Sequence, residues 1–287
     1  MNLKDVKQRI LSVKGTQKIT SAMKLVSAAK LRRAQAAIES MHPYRQKLDS
    51  MLSSFLSTLT FCESPYTHDR ELKRVIVIPV SSDTSLCGSF NSNIIRFAKE
   101  VIDEYLYKGV EVSVMPVGRK MRDALGKTGL PVDEGLMEYC ASPLYAPIAV
   151  VANDIMKEFL DGRVDRVEIV YTHFHSATKL VPVRRQFLPL DTTTVSDDKS
   201  VVTAGLIVEP DKESLVAALL PKVISLNLFT ALLDSTAAEH AARMLAMQIA
   251  TDNANDLISE LTLEYNKGRQ QAITNELLDI MSGSANG

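Results

Sequence analysis

Tryptophan is absent from the 287 residues, and cysteine occurs only as Cys62, Cys87 and Cys140. Three scattered thiols, with no CxxC pair and no Cys/His cluster at zinc spacing, exclude a disulfide framework and fit a reducing compartment. They read as small buried hydrophobes or inert thiols. No uninterrupted run of about 18 apolar residues occurs, so a bilayer-spanning segment is not expected. The first 20 residues lack the apolar stretch of a secretory leader. They are acid-poor like a transit peptide, but that stretch continues into clear helical patterning. The formal net charge is -1, which excludes a chain-wide surface for polyanions. Neither GxGxxG nor GxxxxGK[ST] nor GxSxG is present, so the familiar phosphate cradles and the nucleophile elbow are missing.

What remains is helix at both ends and alternating elements between. The hydrophobic content of 46 % suffices for one core plus an extended element. From Leu3 the spacing of three and four gives Leu3, Val6, Ile10 and Val13. It resumes with Leu31, Ala34, Ile38 and Met41, then Leu48, Leu52, Phe55 and Leu59. Between these blocks the register lands on Gln17, Thr20, Lys24 and Ser27. The apolar stripe is therefore expected to shift to Ile19, Met23 and Val26, as in an irregular coiled coil. Gly15 and Pro43 should weaken or bend this helix without ending it. At about 1.5 Å per residue, 55 residues span roughly 80 Å, too long for a compact domain.

From Arg74 the pattern changes. Strands are expected at 74–80, 110–118 and 164–174, with an antiparallel edge strand at 179–190. Helices are expected at 92–109 and 147–162, with a short one from Arg119. A polar loop follows at 191–200. Helix returns after "EPD" (209–211), where proline suits a first turn and Pro221 could kink the early part. Its seam reads Met244, Met247, Thr251, Ala254, Ile258, Leu261, Tyr265, and "SGSANG" (282–287) reads as a frayed tail. The fold class is α/β: a long antiparallel coiled coil of N- and C-terminal helices with an inserted Rossmann-like α/β domain. The divisions fall at 1–60, 70–208 and 209–287. Because the insertion returns the chain near its departure, the terminal helices should run antiparallel.

Candidate chemistry is sparse. The loop "SSDTSLCGSFNSN" (81–93) stands where α/β folds place a phosphate, but its single Gly88 makes no cradle. A tight turn around a buried Cys87 accounts for it. His173 and His175 lack a third ligand nearby. The informative stretch is 6–38, with eight cations and no acid. A solvated helix face explains it, as do three partners. Nucleic acid would want interleaved aromatics, and residues 1–43 have none. A membrane surface would want bulky apolar anchors, whereas the opposite face is largely alanine. The third is an acidic protein surface. The alanines, Ala22, Ala28, Ala29, Ala34, Ala36 and Ala37 against Ala237, Ala238, Ala241, Ala242, Ala246, Ala250 and Ala254, either let helix axes approach closely or simply favour helix.

Residues 4–35, "KDVKQRILSVKGTQKITSAMKLVSAAKLRRAQ", and 239–285, "EHAARMLAMQIATDNANDLISELTLEYNKGRQQAITNELLDIMSGSA", closely resemble the terminal signatures of the gamma subunits of F-type ATP synthases. "LCGSFN" (86–91) is similar to that family's loop after its first strand. The resemblance implies a central-stalk rotor with three alpha and three beta subunits around its coil, and epsilon and the c-ring at its α/β domain. Proton-driven turning of the c-ring would drive successive conformations of the catalytic beta subunits. This chain would itself be non-catalytic, with no cofactor, metal or nucleic acid. It would be peripheral to the cytoplasmic face of a bacterial inner membrane. The family's contacts with the alpha/beta sleeve carry over to Met23, Arg243, Arg269, Gln270, Thr274 and Glu276. The cations Lys24, Arg32 and Arg33 are expected to face acidic beta-subunit loops. Seam packing for Met23, and helix-face salt bridges for the others, would also explain these residues. Departures are Ser21, Gly15, Gly268, Ser85 and Ser89. No cysteine lies between Asp191 and Pro210, so no thiol regulation is expected. Two other classes stand beside this one: a coiled-coil arm on a nucleotide-binding enzyme domain, and a static structural adaptor.

Overall fold

A computed structural model describes residues 3–58, 65–133, 136, 139–140, 143–190 and 211–285. Cys62, Pro210 and the polar stretch at 191–200 lie outside the described residues. The elements in order are α1 (Leu3–Thr58), β1 (Arg74–Pro79), α2 (Phe90–Tyr107), β2 (Glu111–Val114), α3 (Arg119–Leu125), α4 (Tyr145–Leu160), β3 (Arg166–Phe174), β4 (Leu180–Leu188) and α5 (Lys212–Ala285). The chain separates into two units, one of residues 29–242 and one of 1–28 with 243–287.

The larger unit is built on a four-stranded sheet ordered β2-β1-β3-β4. β1 pairs in parallel with both β2 and β3, and β4 closes the edge antiparallel to β3. β1 alternates between two buried faces. Val75 and Val77 join Ile94, Ala98, Val101 and Tyr105 of α2, with Met121 and Leu125 of α3. Ile76 and Ile78 join Ile148, Ala152 and Phe159 of α4, with Ile224, Leu228 and Leu232 of α5. Each fully buried Leu, Ile or Phe contributes about 1.5–3 kcal/mol. β2 is shorter than expected: it ends at Val114, and one isolated bridge joins Val80 to Val117. Pro116 supplies no N–H to continue the ladder.

α1 passes Pro43 and α5 passes Pro221 without ending, as tertiary packing outweighs one lost backbone hydrogen bond in each. Asp211 caps α5, accepting from the Ser214 N–H (2.7 Å) and hydroxyl (2.8 Å). The expected frayed tail is corrected, since α5 stays helical to Ala285. The expectation about spanning segments also needs amending. One window of α5 reaches a mean hydropathy of 1.9, but 61 % of it is buried inside the protein. That is the signature of a core helix.

The smaller unit is a two-helix coil. Leu3 meets Gly268, and Thr20 meets Thr251: 17 residues forward on α1 match 17 backward on α5. The helices are therefore antiparallel. The α5 seam follows the expected spacing, with Met247, Ala254 and Leu261 buried. The α1 seam does not. Thr20 and Ser27 are buried, whereas Ile19 and Val26 are 62 % and 57 % exposed. The register runs straight through the polar block because polar residues pair across it. Thr20 and Thr251 hydroxyls lie 2.8 Å apart, and Gln17 Nε2 donates to Asn255 Oδ1 at 2.9 Å. The stripe therefore does not drift. The two glycines do not break helix either. Gly15 has open space around it, and a Cβ on Gly268 would stand 3.2 Å from Leu3 Cδ2, so this glycine allows close approach.

Candidate functional site

The coil surface holds most of the residues singled out from sequence. Met23 and Lys24 are half-buried on α1, and Met23 contributes its carbonyl to Ser27 Oγ (2.8 Å). Arg243 is half-buried on α5. Counting along the antiparallel register, Met23 and Lys24 fall within about two turns of Arg243. Arg269, Gln270, Thr274 and Glu276 are all exposed. They sit roughly 30–50 Å further along, at about 1.5 Å per residue. Thr274 donates its hydroxyl to the Gln270 carbonyl (2.9 Å), an ordinary intrahelical bond. Arg32 and Arg33 are exposed on the α1 segment of the larger unit. The nine residues thus form two groups on the coil plus one separate cationic pair.

Sequence reasoning missed the apolar part of this surface. Leu11, Ile19, Leu25, Val26, Ile249 and Leu263 are each more than half exposed. Beyond Gly268, where α1 begins opposite, α5 continues and exposes Leu277 (57 %), Leu278 (59 %), Ile280 (65 %) and Met281 (70 %). An unbroken heptad register through Gln17, Thr20 and Ser27 would have revealed it, because it assigns those apolar residues to the outside.

The loop at 81–93 is bonded internally and to the start of α3, where the Arg119 N–H donates to Asp83 Oδ1 (3.0 Å) and the Met121 N–H to Ser81 Oγ (2.9 Å). Asn91 Oδ1 accepts from the Ser82 N–H (3.1 Å), and Asn91 Nδ2 donates to the Ser82 hydroxyl (2.8 Å) and Cys87 Sγ (3.2 Å). Cys87 and Phe90 pack on Ala238 and Ala242 of α5, with Phe174 and Leu180 beside them. This is the crevice beyond the carboxyl ends of β1 and β3, where doubly wound folds hold nucleotides. Here the chain's own side chains fill it. Gly118 lies at φ 88, and any Cβ there would meet the Ser81 carbonyl oxygen at 2.6 Å, so only glycine fits. Leu86 takes a left-handed conformation (φ 68) and is 59 % exposed at the loop tip.

His173 and His175 touch edge to face, with ring centroids 4.6 Å apart. His173 Nδ1 pairs with Asp234, whose other oxygen accepts the Phe174 N–H at 3.0 Å. No cluster of three or more metal-ligating side chains forms among the described residues. Glu168, also overlooked in sequence, is 3 % exposed. Its carboxylate accepts from Tyr105 Oη (2.6 Å) and Arg184 Nε (2.6 Å). Burial, then Glu168, pushes the Tyr105 hydroxyl above the usual tyrosine range. Arg184 also reaches Glu104 Oε2 at 2.7 Å. The Lys108 hydrogen bond, then that of Arg184, holds the Glu104 carboxyl below the usual range.

An antiparallel two-helix coil in one unit and a mixed α/β sheet with a filled crevice in the other define a coiled-coil protein with an α/β domain. A family model described as ATP synthase matches residues 2–286. The ATP synthase gamma chain of Phocaeicola vulgatus is 50 % identical over 286 residues, covering 99 % of each chain. That of Bacteroides thetaiotaomicron is 47 % identical, again over 99 % of each. A chain of the Tetrahymena thermophila mitochondrial ATP synthase central stalk/c-ring structure is 25 % identical. Its TM-score is 0.57, with 81 % of this chain and 99 % of that one covered. A Euglena gracilis mitochondrial ATP synthase chain shares the fold at TM-score 0.62 and 19 % identity, covering 99 % and 93 %. The chain belongs to the ATP synthase gamma chain family. Its function is that of the central-stalk rotor subunit.

Proposed function

We propose that this rotor subunit is itself non-catalytic and works as a shaft between two partners of different chemistry. The coil of α1 and α5 turns inside a ring of three alpha and three beta subunits. The α/β unit meets epsilon and the c-ring at the cytoplasmic face of a bacterial inner membrane. ATP is made or hydrolysed in the beta subunits.

The observation that carries this reading is the coil's outer surface. It carries Leu11, Ile19, Leu25, Ile249 and Leu263 exposed beside an acid-free run of cations. Apolar area of that kind implies a covering partner. Its cations imply an acidic one. The buried seam includes the small residues Thr20, Ser27 and Ala254. Exposed ion pairs are worth about 0–1 kcal/mol each, so three equivalent acidic partners around a ring could release the shaft in turn. Met23, Lys24, Arg32, Arg33, Arg243, Arg269, Gln270, Thr274 and Glu276 are the proposed sleeve contacts. The filled crevice beyond β1 and β3 argues against the nucleotide-binding alternative.

Two experiments test the reading. Affinity-tagged chain should bring down alpha, beta and epsilon subunits as one ATP-hydrolysing particle. The triple variant Lys24→Glu, Arg32→Glu and Arg33→Glu should stall or uncouple that particle. Unchanged ATP synthesis by the triple variant would remove the cationic contacts from the mechanism.

A further inference from the structure

The larger unit contains a cavity that the rotor role leaves unused. It holds about 430 Å³, within the range of small-molecule sites. α1, the end of β3, β4 and α5 all contribute walls. The apolar part comes from Ile38, Met41, Phe174 and Ala231. Arg45 and Arg185 bring two guanidiniums into the same lining. Arg45 Nη1 reaches Thr230 Oγ1 at 3.4 Å, and Arg185 lines the cavity together with Tyr171. Asp234, held by His173 and the Phe174 N–H, is one acid of the lining, and its charge is felt at Tyr171 beside that of Arg185. Glu39, at the exposed rim, is the other acid in the lining. Two guanidiniums and two carboxylates therefore share a lining whose floor is apolar.

We infer that this cavity binds a small amphipathic oxyanion, its carboxylate or phosphate held by Arg185 and its flat or aliphatic body laid against Ile38, Met41 and Phe174. The mixture of apolar wall and a few convergent polar groups is what such ligands require. A guanidinium presents the planar donor fork that carboxylate and phosphate share. An occupant would touch α1, the sheet and α5 at once, so it would brace the helices of the stalk against the sheet. The inference stands on the cavity and is independent of which partners the coil meets.

Calorimetric titration of the full chain with phenyl phosphate and with benzoate tests it, with benzyl alcohol as the uncharged comparator. Saturable binding of at least one anion is expected, with benzyl alcohol at least about tenfold weaker. Arg185→Gln should weaken the anion by about tenfold or more. Ala231→Leu, which keeps every charge and fills space, should weaken all probes. Binding of only one anion would identify the head group and support the site. Absence of saturable anion binding, equal affinity for benzyl alcohol, or binding untouched by both substitutions would overturn it.

Discussion

Arg184→Met should cost the larger unit more than most single surface changes, because it strands a buried carboxylate. Glu168 is 3 % exposed, and two of its three hydrogen-bond donors are nitrogens of Arg184, at 2.6 and 3.1 Å. Without the guanidinium, Tyr105 Oη is the one remaining donor to the carboxylate among the described residues. Breaking a buried ion pair typically costs about 3–5 kcal/mol. The Arg184 side chain is 28 % exposed, so water can partly replace it and the lower end, about 3 kcal/mol, applies. Removing the whole group by Glu168→Leu, Arg184→Met and Tyr105→Phe together should recover most of that loss, because no polar atom is then left alone. Amide hydrogen exchange of β3 in the full chain reads this locally. The single variant should exchange roughly 100-fold faster, since about 1.4 kcal/mol is tenfold, and the triple variant should fall close to the parent. Single-variant exchange within about threefold of the parent, or a triple variant as labile as the single one, would refute the reasoning.

Alkali should destabilise the larger unit. Burial raises the Tyr105, Tyr145 and Tyr171 hydroxyls above their ordinary 10.0. The unfolded chain therefore ionises first: stability is intact below pH 10.0 and falls as pH rises through the folded values. A unit equally stable at pH 9 and pH 11.5 by denaturant titration would contradict this. Gly15→Ala should stabilise the coil by about 0.8–1 kcal/mol, read as roughly fivefold slower exchange of neighbouring amides. Gly268→Ala should gain less, because Leu3 must yield by a few tenths of an ångström; equal gains at the two sites would contradict the close contact. Met23→Lys adds a cation to an already basic face, and should loosen coupling of hydrolysis to proton pumping while hydrolysis is largely kept. Normal coupling would remove Met23 from the contact set.

The strands, though not their order, were legible because β1 and β3 are near-continuous apolar runs bounded by polar turns, and β4 alternates as an edge strand does. The α5 seam was legible because every member from Met244 to Leu261 but Thr251 is apolar. The α1 seam was misread because Gln17, Thr20 and Ser27 look like an outer face. Only the partner residues Thr251 and Asn255, more than two hundred positions away, reveal that they point inward. The Glu168 cluster and the Asp234–His173 pair were invisible for the same reason: each joins residues whose local sequence gives no sign of the other. Met23, Arg243, Arg269, Gln270, Thr274 and Glu276 came from family signatures, since a basic helix face alone does not say which positions touch a partner.

The most direct measurement places a bead on the rotor. Tyr107 is 93 % exposed on α2, so Tyr107→Cys offers a thiol handle with little structural cost. With the alpha/beta ring fixed to a surface and ATP supplied, the account predicts one-directional turning of the bead in three steps per revolution. A bead that stays still while the same particles hydrolyse ATP at the parental rate would contradict it.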